Sequence, residues 1–168
     1  MKKFSVIFFT FTMMIIPSIT FGNVIDKLNE TGKFTKLNET LMKSGLSENL
    51  KGKGPFTVFA PLDDAFAAIS AQTYYGLLRL ENKDKLVNIL GRHVFSKKLT
   101  SSEINNEIKL KALNGEEVTI KKVNGIVYIN EAEVVTADIE VSNGIIHFIN
   151  RVLQPLNYSF LFQSNCLI

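Results

Sequence analysis

The chain has 168 residues, a net charge of +3 and a single cysteine, Cys166. That length suits one domain after N-terminal processing, and one cysteine excludes an intramolecular disulfide framework. Without the first 22 residues, which hold Lys2 and Lys3, 17 basic residues (19 less two) would face 16 acidic ones, too even a balance for a nucleic-acid surface.

Lys2 and Lys3 precede an uncharged run from Phe4 to Phe21 that is mostly apolar through Ile16 and breaks at Pro17-Ser18. Small residues Thr20 and Gly22 stand three and one positions before a cleavage point. This layout predicts a secretory signal peptide over residues 1–22. Its apolar core, Phe4 to Ile16, is shorter than the roughly 20 residues a membrane-spanning helix needs. The protein is therefore expected to be exported, periplasmic or extracellular at the cell surface, and to touch a membrane only through an uncleaved signal.

Val24 to Leu50 reads as helical. Val24, Ile25 and Leu28 share one face, and Phe34, Leu37, Leu41 and Met42 recur at three- and four-residue spacing, with Gly32 and Gly45 as punctuation. Lys27-Leu28-Asn29-Glu30-Thr31 recurs as Lys36-Leu37-Asn38-Glu39-Thr40. On one continuous helix that offset would turn the two copies to opposite sides. Asn29, Asn38 and Asn157 match the short glycosylation pattern.

Phe56 to Ala60 is a β-type run between Gly54-Pro55 and Pro61. Asp63 then stands as a helix N-cap, with Asp64 in the first turn and Ala65, Phe66 and Ile69 on the buried side. Asn82 to Arg92 is a second helical stretch, with Leu86, Ile89 and Leu90 on one face, and Val94-Phe95 leads out of it. From there the period changes to two. Ile108–Leu113, Val118–Lys122, Ile126–Ile129, Val134–Ile139 and Ile145–Ile149 read as strands. Asn114-Gly115, Asn124-Gly125 and Asn143-Gly144 punctuate them as hairpin signals. Helices first and a meandering sheet second predict an α+β fold.

The run Gly54-Pro55-Phe56-Thr57-Val58-Phe59-Ala60-Pro61-Leu62-Asp63-Asp64-Ala65-Phe66 resembles the first signature block of fasciclin-type (FAS1) domains. Ser142-Asn143-Gly144-Ile145-Ile146-His147-Phe148-Ile149-Asn150-Arg151-Val152-Leu153-Gln154-Pro155 resembles the second. Between them, Leu86 to Val94 resembles the family's central Tyr-His segment, with Arg92 in place of the tyrosine and His93 retained. The resemblance covers residues 23–156, with an apolar tail over 157–168. It implies a compact β-sandwich-like core of two small sheets with packed helices. It also marks Thr57, Phe59, Pro61, Asp63, Phe66, Asn143, Gly144 and His147 as motif positions. In animal matrix members the central segment and an Asp-Ile pair before the second block are implicated in partner contact. The matching residues here are Arg92, His93, Asp138 and Ile139. The other reading of that pair is that Asp138 ends a strand and Ile139 is core.

The ionisable residues point away from catalysis. His93 and His147 lie far apart, with no ligand at i+2 or i+4, so no metal is expected. There is no G-x-S-x-G nucleophile elbow and no glycine-rich nucleotide loop. Asp63-Asp64 has a helix start to serve, and Glu116-Glu117 follows a hairpin signal. His147, within Ile145-Ile146-His147-Phe148-Ile149, reads as a hydrogen-bonded core residue. The expected function is non-catalytic adhesion or protein interaction without cofactors, through a protein or glycan surface partner and with weak self-association. The alternative is a periplasmic small-ligand or accessory protein that uses an apolar pocket between helices and sheet. Nucleic acid is not an expected partner.

Overall fold

The computed structural model describes residues 22–154. The export signal apart from Gly22, and the tail with Asn157 and Cys166, lie outside the described residues. The first helical stretch is three helices, α1 (Val24–Thr31), α2 (Thr35–Ser44) and α3 (Leu46–Lys51). It breaks at Gly32 and Gly45, whose φ values of 67° and 82° are left-handed and suit glycine. The five-residue copies therefore sit on separate helices, not on opposite sides of one. Their equivalent asparagines touch, Asn38 Nδ2 donating to Asn29 Oδ1 at 2.9 Å.

β1 (Phe56–Pro61) follows. Asp63 then opens a 3-10 helix, Asp63–Ala68, rather than capping an α-helix. Its carboxylate instead accepts from the backbone nitrogens of Thr35 (3.1 Å) and Lys36 (2.9 Å) at the start of α2. Phe34, at the N-cap of α2, has no side-chain oxygen to do this itself. α4 (Ala71–Leu77) gave no periodic signal because Tyr74 is its one buried side chain; Ser70 caps it. A short 3-10 turn leads into α5 (Lys83–Gly91).

The remaining strands are β2 (Val94–Phe95), β3 (Ile108–Lys111), β4 (Glu117–Val123), β5 (Ile126–Ile129), β6 (Ala132–Val141) and β7 (Gly144–Ile149). They form one sheet in the order β2-β1-β7-β6-β5-β4-β3. β1 and β7 are parallel and all other pairs antiparallel. The two small sheets of the resemblance are the halves β2-β1-β7-β6 and β6-β5-β4-β3, joined because β6 belongs to both.

Side-chain alternation along β1 separates two cores. Val58 and Ala60 join Val24, Leu28, Phe34, Leu37 and Leu90 on the helix side. Phe59 turns the other way, to Phe95, Ile104, Val118, Ile120 and Ile149. A strand buried on both faces reads as a continuous apolar run, as Phe56 to Ala60 does. β1 and β7 begin so close together that only glycine fits: a Cβ on Gly144 would lie 2.1 Å from Phe56 O, and one on Gly54 1.9 Å from Asn143 O. Asn143-Gly144 is thus a close-approach site. Asn124-Gly125, with φ of 51° and 83°, is the hairpin turn of the expected kind.

Candidate functional site

Three neighbouring strands each grip the segment Lys97–Ser101 with one polar side chain. From β1, the Thr57 hydroxyl donates to Lys97 O and accepts from Leu99 N at 2.9 Å. From β7, His147 Nε2 donates to Leu99 O at 2.9 Å. From β6, the Asp138 carboxylate accepts from Ser101 N at 2.8 Å and from the Ser101 hydroxyl.

Asp138 can do this because β6 is bulged. Its register with β7 shifts between Val134 and Thr136 and again between Thr136 and Ile139. Within the second shift Asp138 takes φ 60°, a conformation that aspartate tolerates better than most residues. Its N–H leaves the ladder and donates to His147 Nδ1 at 3.2 Å. That bond fixes the tautomer: His147 carries its proton on Nε2 and accepts on Nδ1. The ring stacks on Phe59, with centroids 5.0 Å apart, and is 1% exposed. Burial pushes its pKa down, so it is neutral in neutral solution. Burial works to raise the Asp138 carboxyl, but the Ser101 hydrogen bonds outweigh it and hold the group below its usual range. Asp138 is exposed, while Ile139 is half-buried against the helix-side core.

Arg92 and His93 lie in the interior instead, 6% and 2% exposed. The Arg92 guanidinium pairs with the Glu116 carboxylate and donates to Gln154 O at 3.1 Å. His93 Nδ1 donates to Ile89 O at 2.8 Å, and its Nε2 accepts from Leu153 N at 2.9 Å. Burial pushes His93 down to about 4, and neighbouring Arg92 adds to the effect. This pair ties the segment after β7 to the end of α5. Glu116 is the counter-ion that sequence reasoning missed: 24 positions separate it from Arg92 (116 less 92), and no periodicity links them.

The other motif residues hold the frame. Asn143 Oδ1 accepts from Val24 N at 3.0 Å, while its Nδ2 donates to Leu50 O (2.7 Å) and Gly52 O (2.9 Å). One side chain thus joins the start of α1 and the end of α3 to the β6–β7 turn. Phe66 packs edge-on against Tyr74, and Pro61 pairs with Ile149 where β1 ends.

Beside the Asn143 junction is a cleft of about 620 Å³ between the end of α3, the start of β1 and the β6–β7 turn. Its wall includes Lys51, Lys53, Lys98, Gly54, Ser142 and Gly144, so it differs from the apolar pocket between helices and sheet expected above. No helix among the described residues is long and apolar enough to cross a membrane.

The family model of the Fasciclin domain matches residues 32–155. Protein sll1483 of Synechocystis sp. is 46% identical over 127 residues, which cover 76% of this chain and 69% of that one. Transforming growth factor-beta-induced protein ig-h3 of Sus scrofa is 37% identical over 147 residues, which cover 88% of this chain. The chain spans 21% of that animal protein's length. Among solved structures, the FAS1 domain pair of the insect cell adhesion molecule Fasciclin I aligns with a TM-score of 0.71 at 20% identity. That alignment covers 82% of this chain and 52% of the pair.

Proposed function

The chain belongs to the fasciclin domain family, and on that premise we propose that it is an exported, non-catalytic module for adhesion or protein interaction. The observation that carries this reading is the gripped segment. Thr57, His147 and Asp138 spend their polar groups on holding Lys97–Ser101 against the bulge of β6. They are occupied in building a surface, not poised for proton transfer, which needs a group free to exchange its proton with a substrate.

A pre-organised surface loses little entropy when a partner docks. The contact surface in this reading is the exposed edge around Asp138, with Ile139 at its rim, while the buried Arg92 and His93 serve the frame between α5 and the segment after β7. The membership supports the adhesion class, since the insect relative of known structure is a cell adhesion molecule. Export follows from the signal layout of residues 1–22 and the expected cut before Asn23.

The test is a binding measurement with immobilised purified protein and the extracellular and envelope proteins of the native host. Saturable binding is expected, and Asp138→Ala combined with Ser101→Ala should weaken it by about tenfold, as loss of one charge-assisted contact does. Binding that is absent, or indifferent to the double variant, would overturn the reading. N-terminal sequencing from that host should begin near Asn23; an intact Met1 would refute export by cleavage.

A further inference from the structure

The gripped segment borders the cleft beside the Asn143 junction through Lys98, and the wall of that cleft has a chemistry of its own. Three lysines line it from three places: Lys51 at the end of α3, Lys53 in the α3–β1 linker and Lys98 after β2. No carboxylate belongs to the wall. Lys51 and Lys98 pair with Glu48 (2.7 Å) and Glu140 (2.8 Å), but those carboxylates are 74% and 63% exposed. Such exposed pairs contribute little and are readily exchanged for another anion.

The floor of the cleft is peptide. Gly52, Gly54 and Gly144 contribute no side chains, and the close approach of β1 and β7 forbids a Cβ at the last two. The Asn143 side chain bonds to Val24, Leu50 and Gly52, which makes that floor rigid. A rigid backbone surface beside dispersed positive charges fits an extended polyanion. Stacked bases are disfavoured because no aromatic residue lines the wall. A bilayer is disfavoured because the site is concave and offers only Val141 and Pro55 as apolar residues.

We propose that this cleft binds an anionic polysaccharide, its carboxylates or sulfate esters against Lys51, Lys53 and Lys98 and its sugar rings over the glycine floor. The choice of a glycan rests on the exported reading above, whereas its measurement does not, so the two can fail separately. The test is titration calorimetry of the purified full chain with dextran sulfate and with polyguluronate. Binding should weaken as salt rises from about 50 to about 300 mM, because screening shortens the reach of exposed charges. Lys51→Ala/Lys53→Ala/Lys98→Ala should lose about tenfold or more in affinity. Lys109→Ala/Lys111→Ala/Lys121→Ala, which removes the same charge from β3 and β4, should stay within about twofold. If the first triple variant does not fold by circular dichroism, Lys53→Glu is read in its place.

Equal losses in the two triple variants would reduce the effect to general charge and overturn the site. Absence of binding to either polymer would overturn it too. Tighter binding to phosphatidylglycerol vesicles, to single-stranded DNA or to inorganic sulfate than to the polymers would overturn the ligand class.

Discussion

A buried histidine with both ring nitrogens bonded to backbone has one acceptable protonation state. His93 donates through Nδ1 to Ile89 O and accepts at Nε2 from Leu153 N. A second proton would set two donors face to face in a site without water access. Its folded pKa of about 4 lies below the unfolded value of 6.5. The unfolded chain therefore binds the proton first, and stability falls as pH drops below about 6.5, until the folded pKa is reached. The loss due to His93 should approach about 3 kcal/mol near pH 4. His147, also pushed down by burial, steepens the slope. Urea unfolding midpoints measured across this range should show the decline, and His93→Gln should flatten it. Asp138 acts with the same sign at lower pH, since its depressed carboxyl contributes stability that is lost only under stronger acid.

At the scale of elements, help often comes from elsewhere in the chain. α2 begins after Phe34, which cannot cap it, so its first amides turn to Asp63 of the next 3-10 helix. Asp63→Ala should cost about 1 kcal/mol in chemical denaturation, and Asp63→Asn, which keeps an acceptor oxygen, should recover much of it. An unchanged midpoint in Asp63→Ala would mean that solvent satisfies those amides equally well. The sequence identified Asp63 as a cap correctly and attached it to the wrong helix. Capping propensity is a property of a residue and its immediate neighbours, whereas this bond spans 28 positions. α4 escaped notice for a related reason: with one buried side chain, Tyr74, it has no apolar stripe to read.

At the scale of the whole molecule, β1 and β7 divide two cores and belong to both. A cavity on either side should therefore loosen the same pair of strands. Leu28→Ala on the helix side and Ile120→Ala on the meander side should each cost about 2–5 kcal/mol. Each variant should still unfold in one transition when followed by far-UV circular dichroism and tyrosine fluorescence together. Separated transitions for Ile120→Ala would show that the β3-β4-β5 meander is an independent unit.

The sequence by itself determined the helices-then-meander order, most strand positions, the hairpin at Asn124-Gly125 and a buried, hydrogen-bonded His147. Each of these follows from local periodicity, turn chemistry or the position of a polar residue within an apolar run. The tertiary structure alone decided that β1 inserts beside β7, that Gly144 is needed for close approach, and that Arg92 and His93 face inward. It also decided that Thr57, Asp138 and His147 converge on one segment. Those outcomes depend on which strands become neighbours, a matter of long-range pairing between residues 88 positions apart (145 less 57). Local pattern specifies how a segment folds; the company it keeps is set by burying both faces of the central strands at once.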